Sequence, residues 1–139
     1  MRKINKIIVH CSATPEGRNV LISEVKRWHV EERGWSDIGY HFVIELDGSV
    51  RIGRPIEIKG AHTRGHNFDS IGVAYIGGVD LDMKSKDTRT ECQKESLVNL
   101  LTELKDTYGG QVFGHRDFSD KDCPSFDARH QYENISFRY

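Results

Sequence analysis

"YHFVIELDGSVRIG", residues Tyr40–Gly53, sets two alternating runs on either side of Asp47-Gly48. Alternation at period two sends every second side chain to the same face of a strand. The Asp-Gly pair accepts the positive φ that a tight reversal imposes. The stretch is therefore a β-hairpin. What surrounds it decides the architecture.

Upstream, "KIIVH" (6–10) is a short run rich in β-branched residues that ends in polar sequence, the mark of a buried strand. A loop follows, with Pro15 and Gly17. Ile22, Val25, Trp28 and Glu32 then trace helical spacing from about Ser23 to Arg33, and Gly34 stops it. Downstream, "SIGVAYIGG" (70–78) is a second buried strand, and 79–89 is a polar loop. Thr90 opens a helix through a capping box with Gln93. Leu97, Leu100, Leu101, Leu104 and Tyr108 put one apolar face on that helix, and Gly109-Gly110 ends it. "QVFG" (111–114) is the last strand, and the tail from Phe126 to Tyr139 carries a short helix and then frays. The order strand, helix, hairpin, strand, helix, strand implies an α/β fold. It is a single domain over 1–139 with a central mixed β-sheet flanked by helices.

Composition narrows the function. The chain has 139 residues, enough for one core. Twenty Lys and Arg against 21 Asp and Glu leave a formal charge of -1, which gives no electrostatic case for nucleic acid. No apolar run approaches the roughly 18 residues of a membrane span, so no membrane insertion is expected. The opening "MRKINKIIVHCSATPEG" lacks the apolar core of a signal peptide. The expectation is synthesis in the cytoplasm without a signal peptide, and action elsewhere only after release or export.

Cys11, Cys92 and Cys123 are an odd set of thiols, which argues against a disulfide framework. His10 ends the first strand and His115 follows the last, the ends at which ligands gather in open α/β sheets. "GHRDFSDKDCPSF" (114–126) adds Lys121 and Cys123. Three readings stand at this point: surface chemistry, a thiol nucleophile with a histidine base, or two histidines and a cysteine around a metal with one open position. Cys11 neighbours His10 and points to the opposite face of its strand, which makes it core filler. Trp28 reads as core. Trp35 either walls a groove or packs, and Asn67 can brace the turn before "SIGV". His29, His66 and His130 read as exposed, and His41 faces away from Tyr40.

Four blocks, "IVHCSAT" (8–14), "WSDIGYHFVIELDGSV" (35–50), "GAHTRGHNFDSIGVAYIGG" (60–78) and "GHRDFSDKDCPSFD" (114–127), together resemble the zinc N-acetylmuramoyl-L-alanine amidases. More specifically they resemble the amidase-2 family, which includes bacteriophage lysozyme-type amidases and peptidoglycan recognition proteins. The blocks occur in family order over residues 5 to 130. The resemblance implies Zn²⁺ held by His10, His115 and Cys123, with Tyr40 and Lys121 as the catalytic side chains and His62 lining the substrate groove. It implies peptidoglycan as substrate and the amide between N-acetylmuramic acid and L-alanine as the bond cut. Family members that only bind peptidoglycan typically lack the cysteine, which is present here.

The residue types suit that chemistry. Neutral imidazoles and one thiolate leave a Zn²⁺ site cationic enough to acidify water and polarise a carbonyl. Lys121 brings positive charge to a developing oxyanion, and Tyr40 brings a phenolic donor. The rivals are a thiol hydrolase of peptidoglycan peptides, with Cys123 or Cys11 as nucleophile, and a silent peptidoglycan-binding module.

Overall fold

In the computed structural model, which describes residues 2–135, five strands form one sheet in the order β4-β3-β5-β1-β7. β1 is Lys6–Cys11, β3 Phe42–Ile44, β4 Val50–Ile52, β5 Ser70–Tyr75 and β7 Gln111–Gly114. The hairpin β3–β4 is antiparallel, and the pairs β3–β5, β5–β1 and β1–β7 are parallel. The sheet is therefore mixed, as the alternating hairpin between buried runs implies. A separate pair, β2 (Thr14–Pro15) with β6 (Gly78–Val79), is too short for sequence patterning to reveal.

The hairpin closes through three residues. Gly48 N–H returns to Glu45 O at 2.9 Å and Glu45 N–H bonds Ser49 O at 2.9 Å. Gly48 has φ +89, and a Cβ there would also sit 3.0 Å from Cys92, so the turn and its docking on the next helix both need glycine.

Each face of the sheet buries its own cluster. Ile7, Val9, Ile71, Val73 and Tyr75 pack on Leu97, Leu100, Leu101 and Leu104 of α2 (Glu91–Tyr108). Val20, Val25, Ile38, Val43 and Ile76 form the second cluster, with Trp28 partly buried against it. The Thr90–Gln93 capping box forms as the sequence predicts. Gln93 also reaches the sheet, its Nε2 donating to Ile44 O and Ile76 O at 3.2 and 2.9 Å. That accounts for a fully buried glutamine.

The first helix departs from expectation. α1 runs Ile22–Arg27 and continues as a wide π-helical turn, Trp28–Glu32, in which Arg33 N–H bonds Trp28 O. Leu21 has no side-chain acceptor for the helix start, so buried Glu45 takes the Ile22 N–H at 2.9 Å and pairs with Arg51. The wide turn begins beside His29, which is buried rather than exposed as its sequence context suggests, with Nδ1 accepting the Gly39 N–H at 2.9 Å. A short helix α3 (Ala128–Gln131) lies in the tail, and the expected fraying beyond residue 135 lies outside the described residues. Among the described residues, no helix is long and apolar enough to cross a membrane.

Burial holds His29 and His41 neutral, their pKa values lowered from 6.5 to about 4. An unfolded chain would bind protons at both residues between those values, and the folded one would not. The sign follows: stability rises with pH across that window and is lost as pH falls from 6.5 toward 4. At about 1.4 kcal/mol per pKa unit, each histidine costs at most ~3.5 kcal/mol of stability on acidification through that window. Urea midpoints of the metal-free protein should drop steadily between neutral pH and pH 4. A midpoint that stays level across this range would contradict the buried neutral state.

Candidate active site

The register of the sheet assembles the site. Val9 pairs with Gly114 in the parallel β1–β7 ladder, so the next residues, His10 and His115, leave adjacent strand ends together. Their ring centroids are 4.6 Å apart. Cys123 arrives from the following loop. That loop is pinned by Tyr75 OH donating to Pro124 O at 2.6 Å, Ser125 Oγ donating to Gly78 O at 2.7 Å and Arg116 N–H donating to Cys123 O at 2.7 Å.

Ligand atoms of His10, His115 and Cys123 all lie within 4.8 Å of one another. The donor chemistry fits a metal ion. His10 is held well below its ordinary pKa by burial, with His62 and His115 adding to the effect. His115 is lowered by burial and by the Lys121 charge. Both are neutral imidazoles near pH 7, the form that ligates. The Cys123 thiol is pushed up by the neighbouring Cys11 and by burial. It is a poor nucleophile in that state, and a bound cation is what would favour its thiolate. Cys123 Sγ already accepts the Cys11 N–H at 3.1 Å, a bond that suits a thiolate. Cys11 is core, as expected, yet it also borders the site through this backbone group.

Tyr40 stands half-buried with its ring 5.1 Å from His10 and 5.3 Å from His29. Burial raises its phenol above the ordinary value, so the hydroxyl remains a neutral donor. Lys121 is exposed at the rim. His10, Tyr40, His62, His115, Lys121 and Cys123 all line one cavity of ≈ 190 Å³. A wider groove continues past His115 between Arg64 and the Asp117–Lys121 segment.

The structure thus brings together all six residues singled out from the sequence. Trp35 walls the cavity. Asn67 braces its turn, its Oδ1 accepting the N–H groups of His62 and Thr63 at 3.0 and 2.9 Å. His66 is half-buried against Phe118, with ring centroids 4.2 Å apart, where exposure was expected; His130 is exposed. His41 is fully buried, Nε2 donating to Ile58 O and Nδ1 accepting the Gly72 N–H. Sequence reasoning missed His29, Thr63 and Arg64 at the site. The last two stand in the quoted "GAHTRGHN" block, but no spacing rule singles them out.

Comparison with known proteins agrees with this geometry. Residues 1–126 match the N-acetylmuramoyl-L-alanine amidase family, amidase-2. The endolysin of Escherichia phage T7 is 44% identical over 128 residues, covering 91% of this chain and 84% of that protein. The endolysin of Klebsiella phage KP32 is 41% identical over 133 residues, covering 95% and 87%. Among solved structures, the N-acetylmuramoyl-L-alanine amidase LysC from Clostridium intestinale superposes with a TM-score of 0.78 at 28% identity, covering 94% of this chain and 82% of that one. The ectodomain complex of peptidoglycan recognition proteins LCa and LCx, bound to tracheal cytotoxin, gives 0.79 at 28% identity, covering 99% and 86%. The protein is an enzyme of the cell wall that hydrolyses the amide joining N-acetylmuramic acid to L-alanine in peptidoglycan. By its sequence and its fold, the chain belongs to the N-acetylmuramoyl-L-alanine amidase family.

Proposed function

We propose that this amidase works with one Zn²⁺ held by His10, His115 and Cys123, and that the whole chain serves as a single amidase domain. The observation that carries the reading is the convergence of three neutral-ready donors within 4.8 Å at the floor of a cavity. Two imidazoles and a thiolate leave a fourth position open, the pattern of catalytic rather than structural zinc. Zinc at such a site supplies Lewis acidity, polarising a carbonyl and acidifying water.

The remaining chemistry belongs to side chains of this chain. Tyr40, kept protonated by burial, donates a hydrogen bond toward the reacting carbonyl region. Lys121 at the rim sets a positive charge where the oxyanion develops. His62 and Trp35 form the wall along which the glycan–peptide lies. The chain's own steps are to orient the amide, stabilise negative charge on its oxygen and exclude bulk water. Made in the cytoplasm, the enzyme meets its substrate after release or export.

The product and metal dependence test this together. On purified peptidoglycan, new L-alanine amino termini should appear without new reducing ends. A chelator should abolish turnover, and added zinc should restore it. Undiminished activity after verified metal removal would shift the assignment to the thiol hydrolase with Cys123 or Cys11 as nucleophile.

A further inference from the structure

His62 lines the groove, yet its ring is aimed at a residue beneath the groove. His10 Nε2 lies 2.8 Å from His62 Nδ1 and 3.2 Å from Thr63 Oγ1. Thr63 Oγ1 is 2.9 Å from the same His62 nitrogen, and His62 Nε2 is 3.2 Å from Ser70 Oγ. The rings of His10 and His62 meet edge to face, with centroids 4.9 Å apart. His62 is not itself among the residues whose donor atoms cluster for a metal.

A neutral imidazole carries one proton, and the nitrogen that ligates a metal must be the other one. Nε2 of His10 is already occupied by two polar partners, which leaves Nδ1 for the metal. The proton arrangement then closes without conflict. His10 Nε2–H donates across His62 Nδ1 and Thr63 Oγ1, and His62 Nε2–H donates to Ser70 Oγ.

The ring that does this is built in. A Cβ on Gly60 or Gly72 would come within 2.6 Å of the His62 ring, so two glycines make its slot. Asn67 Oδ1 fixes the backbone N–H groups of both His62 and Thr63. Thr63 is buried. A side chain that served only to touch substrate would not need to be clamped from below on three sides.

We propose that His62 and Thr63 are positioning residues that fix the tautomer and orientation of His10, so that it presents Nδ1 to the metal. The inference rests on the zinc reading under Proposed function. Partners of this kind raise ligand basicity and hold the ring in place, and losing one typically costs roughly 10–100-fold in metal affinity.

The test uses the full chain and reads zinc affinity by competition with a fluorescent zinc chelator near neutral pH. Wild type is compared with His62→Ala, Thr63→Val and Thr63→Ser, and kcat and KM are measured alongside. Zinc should bind about 10–100-fold more weakly to His62→Ala. It should also bind more weakly to Thr63→Val, and Thr63→Ser should return to near the wild-type affinity. ¹⁵N spectra of zinc-loaded wild type should show His10 protonated at Nε2 and metal-bound at Nδ1. Thr63→Val changes one hydroxyl at nearly constant volume, so it carries the test should His62→Ala fail to fold. A higher KM with wild-type zinc affinity in both His62→Ala and Thr63→Val would overturn the proposal and leave His62 as a groove residue. A His10 bound through Nε2 would overturn it as well. A wild type that takes up no zinc would overturn the metal reading itself, and this inference with it.

Discussion

Cys123→Ser is expected to purify folded, without bound zinc and without measurable amidase turnover. Serine keeps the shape but replaces a soft, ionisable sulfur with a hydroxyl that zinc ligates poorly. Zinc held by a full ligand set is worth about 10–16 kcal/mol. Losing one protein ligand of three removes a few kcal/mol of that, ~10³-fold in affinity. The fold should survive because three bonds that pin the loop run through Tyr75, Ser125 and the Cys123 carbonyl, and the one at the sulfur, from the Cys11 N–H, can be accepted by a serine oxygen. Cys11→Ser is the matched control, since it preserves the backbone N–H that meets Cys123 Sγ. It should keep both metal and activity. Elemental analysis of the two purified variants is the measurement, and full zinc occupancy in Cys123→Ser would sink the ligand assignment.

Lys121→Ala and Tyr40→Phe separate chemistry from metal binding. Neither side chain belongs to the metal cluster, so both variants should retain about one zinc per chain. Removing one donor aimed at an oxyanion typically lowers kcat by ~10²–10³. Lys121 is exposed at the rim, so its removal should leave stability almost unchanged. Tyr40→Phe deletes a hydroxyl and preserves the ring that packs beside His10 and His29. Peptidoglycan fragments should still bind to both, while release of L-alanine amino termini slows. Full activity in Lys121→Ala would mean that the rim lysine has been misread, and new reducing sugar ends from any of these proteins would point to glycosidic cleavage instead of amide cleavage.

The fold was legible where local chemistry and tertiary structure agree. Asp47-Gly48 needs its turn wherever the chain goes, and Thr90 with Gln93 caps a helix on local grounds alone. The period-two pattern of β1 splits Val9 and Cys11 from Ile8 and His10, and only the first pair joins the cluster packed on α2. The π-helical turn after Arg27 was not legible, because Trp28–Glu32 has ordinary helical spacing and only the register of Arg33 on Trp28 widens it. The burial of His29 follows from that turn and from Gly39, ten residues away, which no periodicity reports. At the site, spacing alone left His10, His115 and Cys123 as one arrangement among several. The blocks in family order are what singled them out. That His62 reaches Nε2 of His10 depends on two glycine slots in different segments, and that is tertiary information.

The pairing of Val9 with Gly114 also sets the order in which the enzyme can come into being. β1 lies between β5 and β7, so within this sheet the earliest strand in chain order is completed by the latest. His10 is synthesised well before its neighbour His115 and before Cys123, which follow only with β7 and the loop after it. Domains that fold as they are made can settle early elements first. Here that early structure contains no working centre. Under the ligand set proposed above, a chain that lacks the closing strand and its loop should release no L-alanine amino termini from peptidoglycan.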